Sequence, residues 1–287
     1  MISVAPERPV APIALDVLTV VDRVARSLGF DYFVTGAMAR DILLYHVFGL
    51  ETGRATRDID LAVAIDSWRE FDAIKTRLIE TGAVIADANR PHRLFYLASS
   101  EANRYPFDLL PFGGIERPPS QIAWPPDLSI VMNVAGYREA YAAAEQVELR
   151  PRFVVRVASL PGLAVLKLFA WDDRGLEDPR DALDFGVLLH SYGDAGTEDR
   201  LFGEEMPLLE AVDYNIDLAG PRLLGKDAAR IISPSTRAQV VALLDDPRRH
   251  DRLVRDMAKV FRAAEDPIVK AEVAIAQFRT GFSGDLI

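Results

Sequence analysis

The pattern of apolar residues changes once along this chain, near residue 158, and this change limits the folds that the chain can adopt. Before that point, short β-rich runs alternate with segments of helical periodicity. After it, apolar residues recur at helical spacing almost to the last residue. We therefore expect an α+β fold, in which a mixed-sheet lobe over residues 1–158 precedes a helical lobe over residues 159–287.

The first lobe is predicted to contain a helix at Ile13–Leu28, which Gly29 ends, and a strand at Asp31–Thr35. Its other predicted helices are 37–48, 68–80 and 137–144, and its other predicted strands are 58–65, 93–97, 106–112, 146–149 and 153–157. The second lobe is predicted to hold helices at 159–173, 179–190, 207–218, 227–231, 234–244, 248–264 and 267–278.

The composition excludes several classes of chemistry. A chain without cysteine cannot form disulfides, thiolate zinc sites, iron–sulfur clusters or thiol nucleophiles. The four histidines, at positions 46, 92, 190 and 250, show no spacing typical of metal ligands. We therefore expect any bound metal to be a hard cation with oxygen ligands.

Charge and hydropathy narrow the expected partners. The formal net charge of −10 argues against general coating of nucleic acid, which requires a basic surface. No apolar run is long enough to span a membrane, and Met1–Pro12 lacks the features of a signal peptide. The sequence predicts a cytoplasmic protein with no membrane partner.

The most informative local motif is a pair of aspartates in Arg57-Asp58-Ile59-Asp60-Leu61. In an extended strand, Asp58 and Asp60 point to the same face, about 6.5 to 7 Å apart along the chain, while Ile59 faces the core. Two carboxylates on one face can bind one or two divalent cations. The alternative is a solvated strand face.

A third aspartate lies in an otherwise apolar strand, Pro106-Phe-Asp108-Leu-Leu110. Burying a carboxylate there is costly unless its charge is compensated. A metal ion shared with Asp58 and Asp60 would compensate it, and so would an arginine partner. We expect the three carboxylates to converge within metal-bridging distance on one face of the sheet.

A glycine at a strand-to-helix turn is a further signal, in Val34-Thr35-Gly36-Ala37. Glycine lets backbone amides and the positive end of a helix approach a phosphate closely. A tight turn without a ligand is the alternative.

The order of these elements resembles the polymerase-β type nucleotidyltransferase fold: a strand–Gly36–helix turn, an Asp-x-Asp strand and a later strand with Asp108. In the helical half, the run Lys167–Arg174 followed by Arg180-Asp181-Ala-Leu-Asp184 resembles the signature of AbiEii/MenT-like nucleotidyltransferases. That family includes toxins of type IV toxin–antitoxin systems. Lys167 and Arg174 share one helix face by their spacing, and Asp181 and Asp184 share another.

The resemblance implies a catalytic set and a reaction. The reaction is transfer of a nucleoside monophosphate from an NTP to an RNA hydroxyl, such as a tRNA 3′ end, or to a protein hydroxyl. Two Mg²⁺ ions, with Mn²⁺ as an alternative, are the usual means of such a transfer. The implied metal ligands are Asp58, Asp60 and Asp108, and with Lys167 they form the implied catalytic set.

The resemblance also implies how the nucleotide is bound and which partner to expect. The implied nucleotide-binding residues are Gly36, Ala37, Arg40, Arg57, Lys167, Arg174, Asp181 and Asp184. An antitoxin protein is a candidate partner. The chain departs from the family pattern at Ala37, where a serine hydroxyl would contact the terminal phosphate, so we expect backbone amides, Arg40 and Lys167 to hold the phosphates.

Three other interpretations share part of the pattern. The turn at Gly36, with Glu177-Asp178-Pro179-Arg180, also resembles tRNA CCA-adding enzymes and poly(A) polymerases. An antibiotic nucleotidyltransferase would suit the acidic composition, and an inactive nucleotide-binding module would need none of the three aspartates.

An RNA acceptor would require a local basic patch, because the chain as a whole is acidic. The candidate patch lies in the helical lobe, where the alternative is a solvated helix face. It comprises Arg222, Lys226, Arg230, Arg237, Arg248, Arg249 and Arg252.

Overall fold

The computed structural model describes residues 1–53, 56, 58–98, 104–118 and 120–284. Contacts along the chain divide it into two compact units, Met1–Ile42 with Arg54–Ala158, and Leu43–Gly53 with Ser159–Ile287. The assignment of Leu43–Gly53 to the first lobe is therefore wrong. This segment packs with the second unit, where the Phe48 ring lies so close to Gly196 that a Cβ there would meet it at 2.7 Å.

The first unit is built on strands. Among the described residues these are β1 (Ile2–Ser3), β2 (Asp31–Thr35), β3 (Ile59–Ile65), β4 (Val84–Ala86), β5 (Arg93–Leu97), β6 (Arg104–Gly113), β7 (Gln121–Ala123), β8 (Val131–Asn133), β9 (Glu145–Arg150) and β10 (Phe153–Val157). Eight of them form one sheet in the order β1-β9-β10-β2-β3-β6-β5-β4, while β7 and β8 pair separately. The short strands β1, β4, β7 and β8 were not predicted from the sequence.

The sheet is mixed: parallel and antiparallel pairs alternate from β1 to β5, and the last pair, β5 with β4, is again antiparallel. Strand β2 is antiparallel to β3, β3 is parallel to β6, and β6 is antiparallel to β5. In this register Thr35 lies opposite Asp60, Asp60 opposite Asp108, and Asp108 opposite Arg93. Residues opposite one another on adjacent strands point to the same face, so the sheet places these side chains together.

In the described part of the first unit, four α-helices lie between the strands: α1 (Pro12–Leu28), α2 (Gly36–Asp41), α3 (Trp68–Glu80) and α4 (Tyr137–Ala142). Helix α1 begins with a proline in its first turn and ends at Gly29, whose left-handed backbone donates to the Ala25 carbonyl. Helix α2 continues as a π-helical turn over Ile42–Val47, so the predicted single helix at 37–48 changes its hydrogen-bonding pattern midway.

Aromatic side chains form part of the core of the first unit. Phe33 on β2 and Phe112 on β6 meet edge to face with ring centroids 5.7 Å apart, and Tyr141 is 5.9 Å from Phe33. Both phenylalanines are nearly inaccessible to solvent. Such pairs add specific geometry to the burial of apolar area.

The second unit is helical. Its helices in the described part of the chain are α5 (Leu160–Arg174), α6 (Arg180–Ser191), α7 (Glu198–Leu201), α8 (Met206–Glu210), α9 (Ile216–Ile231), α10 (Pro234–Asp245), α11 (Pro247–Met257) and α12 (Pro267–Ser283). With the mixed sheet of the first unit, they confirm the predicted α+β fold class. No helix among the described residues is both long and apolar enough to cross a bilayer.

The predicted helices at 207–218 and 227–231 are wrong. The structure has the short helix α8, a turn at Asp213 and Tyr214 with positive φ of 54° and 59°, and then α9 running through Pro221. A proline inside a helix removes one backbone hydrogen bond. Here tertiary packing outweighs that loss, since Pro221 and eight other residues of α9 are buried. Likewise the predicted helix at 248–264 is α11 followed by a 3₁₀ turn over Ala258–Phe261.

Helices α9 and α12 pack with their backbones in contact at two glycines. A Cβ on Gly225 would lie 2.0 Å from the Phe278 carbonyl oxygen, and a Cβ on Gly281 would lie 1.8 Å from the Arg222 carbonyl oxygen. Any side chain at either position must push the two helices apart.

Replacing Gly281 with alanine should therefore destabilise the protein by about 3 kcal/mol, the upper end of the usual cost of overpacking. Urea unfolding measures this. The matched control is Gly186→Ala in α6, where a new Cβ would meet the Val260 side chain at 3.0 Å rather than backbone. Equal effects of the two changes would contradict the backbone contact.

Candidate functional site

The register of β3 and β6 brings two of the predicted aspartates together. Asp60 and Asp108 are direct partners across these parallel strands, which lie about 4.8 Å apart as adjacent strands do. Asp58 lies just before β3, which begins at Ile59 rather than at Asp58 as predicted. The Thr56 hydroxyl donates a hydrogen bond of 2.9 Å to Asp58 Oδ1. We call Asp58, Asp60 and Asp108 the acidic centre.

An arginine on β5 connects two members of the acidic centre. Arg93 Nε and Nη2 donate to the two carboxylate oxygens of Asp108 at 2.7 Å each, and Nη2 lies 3.8 Å from Asp58 Oδ2. The Oδ2 atoms of Asp58 and Asp108 both lie near Nη2, so the distance between them is at most the sum of their two distances to Nη2. Hydrogen bonding to Asp108 is the main cause of the raised pKa of Arg93.

Arg93 also compensates the charge of Asp108, which is buried. Asp108 is 7% exposed, so its charge needs compensation inside the fold. Of the two expected compensators, the structure shows the arginine. Arg93 is not among the predicted site residues. Its pairing with Asp108 depends on the register of β5 and β6, which the sequence does not reveal.

Asp60 packs directly against Gly36. A Cβ on Gly36 would lie 1.9 Å from Asp60 Oδ2, and the backbone of Gly36 has a φ of 65°. Both facts exclude other residues at this position, because a side chain would collide with the carboxylate and would be strained. Glycine at this turn therefore allows the Asp60 carboxylate to approach the backbone. The adjacent Ala37 is buried.

Arg40 and Arg57 were both predicted to bind the nucleotide, and the structure describes the first of them. Arg40 is 1% exposed, and its Nε and Nη2 donate to Asp41 Oδ1 at 2.9 and 2.6 Å. It is part of the core in this structure rather than a surface for phosphate. Arg57 lies outside the described residues.

The acidic centre fits a divalent cation in the kind of ligand it offers. All three side chains are carboxylates, which hard cations prefer, and they lie at adjoining positions on β3 and β6 and just before β3. Within the described residues, however, no three Asp, Glu or His side chains already stand as a ligand set for one ion. The guanidinium of Arg93 holds two of the three carboxylates.

In the second unit, Lys167 lies on α5, a helix in which ten of fifteen residues are buried. Such a helix is central to its unit, so the lysine is buried with it and needs partners. Helix α6 supplies them: Lys167 Nζ lies 2.8 Å from Asp181 Oδ1 and 2.7 Å from Asp184 Oδ2. Arg174 Nε donates to Asp181 Oδ2 at 2.7 Å. We call these four residues the α5–α6 network.

The α5–α6 network fixes the charges of its members. Burial alone would lower the pKa of Lys167, but the charges of Asp184 and Asp181 outweigh it and raise the pKa. Burial would likewise raise the pKa of Asp181, but Lys167 and Arg174 lower it to about 2. Lys167 is therefore an ammonium and Asp181 a carboxylate at neutral pH. Lys167 and Arg174 on α5 thus contact Asp181 and Asp184 on α6, so the two pairs predicted from sequence spacing face one another.

Most of the candidate basic patch is engaged within the second unit. Lys226 and Arg230 contact Glu205, Arg237 donates to the Phe282 and Ser283 carbonyls, and Arg249 pairs with Asp172. The guanidinium of Arg252 lies 4.1 Å from the Trp171 ring centroid, and Arg222 is buried. This patch is not an open cationic surface. In the segment 177–180, Arg180 pairs with Asp178.

A family model described as "Nucleotidyl transferase AbiEii toxin, Type IV TA system" matches residues 24–264. The match covers most of the chain and includes the acidic centre and the α5–α6 network. The chain belongs to this family. The AbiEii family assignment confirms the resemblance stated from the sequence motifs and makes the protein a nucleotidyltransferase.

Solved structures similar to this AbiEii-family chain are nucleotidyltransferases as well. One is ANT(2'')-Ia in complex with adenylyl-2''-tobramycin, with 14% identity, a TM-score of 0.37, and coverage of 68% of this chain and 92% of that one. Another is a CCA-adding enzyme with ATP, with 16% identity, a TM-score of 0.33, and coverage of 95% and 70%. At these scores neither bears on the substrate. No curated protein matches the chain.

The contact between Gly36 and Asp60 predicts a specific effect of Gly36→Ala. The methyl group must displace the Asp60 carboxylate, and a displacement of about 1 Å at a reacting group can cost about 100-fold in rate. Nucleotidyl transfer should fall by about this factor, measured as label incorporated from an NTP.

The matched control is Gly82→Ala. Gly82 has a similar φ of 74° with nothing within 4 Å of a new Cβ, so it carries the same backbone strain of about 1 kcal/mol without touching the acidic centre. If both variants lost activity equally, strain rather than Asp60 would explain the loss.

Replacing Lys167 with methionine should destabilise the protein in a pH-dependent way. Two carboxylates lose their buried cation, which typically costs about 3–5 kcal/mol at neutral pH. Without the ammonium the carboxyl pKa values rise, so the folded variant takes up protons before the unfolded chain does. The deficit should shrink as the pH falls from about 7 to about 4.

Urea unfolding of both proteins across this pH range measures the deficit. In the wild type, the stabilisation from Asp181 persists above its ordinary pKa of 3.8 and is lost as the pH falls towards 2. Lys270→Met is the control, because its pair with Asp217 is more exposed and such pairs contribute little. A deficit that does not change with pH would contradict this account.

Proposed function

We propose that this protein transfers a nucleoside monophosphate from an NTP to a hydroxyl group of RNA and releases pyrophosphate. The observation that carries the proposal is the acidic centre, in which carboxylates of β3, of β6 and of the residue just before β3 adjoin within a chain of the AbiEii nucleotidyltransferase family. As a type IV toxin family member, it would act against the RNA of its own cell, with an antitoxin protein as the partner that restrains it.

In this proposal Asp58, Asp60 and Asp108 would hold Mg²⁺, as two ions when the nucleotide is present. The bound metal would supply stabilisation of charge on the attacking and leaving oxygens. Mn²⁺ would serve as a substitute, since it takes the same oxygen ligands.

The chain's own groups perform the remaining steps. The acceptor oxygen attacks the α-phosphorus, the bond to the bridging oxygen breaks, and pyrophosphate leaves with that electron pair. Asp108 accepts the hydroxyl proton on one of its carboxylate oxygens, which are hydrogen-bond acceptors when ionised. The proton then passes to water.

Lys167 and Arg174 are proposed to contact the triphosphate. The Lys167 ammonium has three N–H donors, and Asp181 and Asp184 use two of them. Arg174 has a side chain that is 62% exposed while its Nε is fixed by Asp181. The two aspartates thus orient the cations. Arg40 has no part in the proposal because it is buried against Asp41.

RNA is favoured as the acceptor by cations of the second unit that have no carboxylate partner. Within the described chain, no carboxylate oxygen forms an ion pair within 4 Å of the side-chain nitrogens of four exposed residues, which recur at helical spacing from α11 onward: Arg248, Arg255, Lys259 and Arg262. We call them the α11 stripe. A row of unpaired cations in an acidic protein suits a phosphate backbone.

The test of the reaction uses purified protein with each α-labelled NTP, Mg²⁺, and separate pools of total RNA, cell protein and aminoglycosides. We expect label in the RNA pool, and none with Asp60→Asn. Asp72→Asn, an exposed position on α3, controls for the change of charge. Label in the protein or aminoglycoside pool would contradict RNA as the acceptor. Label in no pool would contradict the proposed nucleotidyl transfer itself.

The α11 stripe gives this test a second measurement, which is RNA binding at different salt concentrations. Four phosphate contacts predict a slope of about −2.8 for log affinity against log salt, or about a 50-fold loss from 50 to 200 mM. Changing Arg248, Arg255 and Lys259 together to glutamine should reduce the slope by about 2.

A control with the same change of charge replaces Arg26, Arg77 and Arg279, which are exposed but already paired with carboxylates. This control should keep the wild-type slope. Equal slopes for both triple variants would remove the α11 stripe as the RNA surface.

A further inference from the structure

The arginine at the acidic centre lies where a shared metal ion would bind. The Arg93 guanidinium contacts both oxygens of Asp108 at 2.7 Å and approaches Asp58 within 3.8 Å. An ion held jointly by these two aspartates would need the same carboxylate oxygens. A fork-to-carboxylate contact is among the stronger hydrogen-bonded pairs, so Arg93 is a real competitor for them.

The charge of Arg93 opposes a cation at the same carboxylates. Asp58 and Asp108 carry two negative charges, and the guanidinium between them offsets one. Removing the guanidinium should therefore strengthen the attraction of these two carboxylates for a divalent cation, because charges this close and partly buried interact strongly.

We propose that Arg93 takes the place of one divalent cation at the acidic centre and competes with that ion for Asp108 and Asp58. An ion shared by Asp108 and Asp58 then binds only when Arg93 releases Asp108. Arg93 is a positioning residue in this role. The proposal builds on the proposed function in its choice of ion, but binding of the ion is measured without any transfer reaction.

A purely structural role for the same pair makes a different prediction. Cross-strand ion pairs stabilise sheets, and Arg93 and Asp108 are register partners on β5 and β6. If stability were the only role, removing Arg93 would weaken the fold and would weaken ion binding with it. Competition predicts the opposite effect on ion binding.

The experiment measures Mn²⁺ binding to nucleotide-free protein by the electron paramagnetic resonance signal of free Mn²⁺. Arg93→Met should bind Mn²⁺ about tenfold or more tightly than the wild type, the scale of losing one charged hydrogen bond. The double variant R93M/D108N should lose this gain, because the carboxylate that Arg93 had covered is gone.

The matched control is Arg77→Met, an exposed arginine on α3 that pairs with Glu80. It removes the same charge and should leave Mn²⁺ binding unchanged. Thermal unfolding provides a second readout: Mn²⁺ should raise the melting temperature of Arg93→Met more than that of the wild type, because the ion replaces the lost guanidinium.

Where Arg93→Met does not fold without metal, Arg93→Lys decides. A single ammonium cannot cover both oxygens of Asp108, so this variant should bind Mn²⁺ more tightly than wild type, by a smaller factor. Unchanged or weaker Mn²⁺ binding in the folded Arg93 variants overturns the proposal. If Mn²⁺ binding is unchanged or weaker but the protein transfers nucleotides, the proposed function stands without this inference. If Mn²⁺ binding tightens but the protein is inactive as a transferase, this inference stands without the proposed function.

Discussion

Burial of charged side chains is the constraint on which the candidate site depends. Lys167 lies on a helix that is apolar around almost its whole circumference, so its ammonium must be compensated within the protein. Asp181 and Asp184 do so from α6, and Arg174 then balances the second carboxylate. The result is a network with two cations and two anions. Helix α6 is thereby fixed against α5 by charge as well as by packing, and changing one member leaves another buried without its partner.

The acidic centre meets the same constraint in a different way. Asp58 and Asp108 share one guanidinium, that of Arg93, so the charges of these three groups do not balance as those of the α5–α6 network do. A cation from solution would reduce the cost of the remaining negative charge in a half-buried place. The α5–α6 network, in contrast, compensates the charge of Lys167 with carboxylates of its own.

Elements with strong local signals follow from the sequence. Helices α1 and α3 have end signals and apolar periodicity of their own, and strand β2 is a short β-rich run that ends at Gly36. The predicted bounds of all three agree closely with the structure. Prediction failed where tertiary packing outweighs local signals: Pro221 inside α9 is an example. For the site, the pattern predicted the carboxylates but not Arg93, because the register that pairs Arg93 with Asp108 joins strands whose sequences are separate. Arg40 was a reasonable candidate by position, and only its burial removes it.

The family assignment decides the reaction but leaves the acceptor to surface charge. The formal net charge of −10 repels RNA at long range, yet salt screens charges beyond about 8 Å at physiological ionic strength. Within that distance, local cations determine whether a phosphate backbone is attracted. Most arginines and lysines of the second unit are committed to carboxylates, carbonyls or aromatic rings, so they add little to an outward field. The α11 stripe is the exception among the described residues. An acidic chain that leaves one row of cations unpaired has a surface on which polyanions can bind locally while general binding is suppressed, and such selectivity suits an enzyme that must reach one hydroxyl of an RNA rather than coat it.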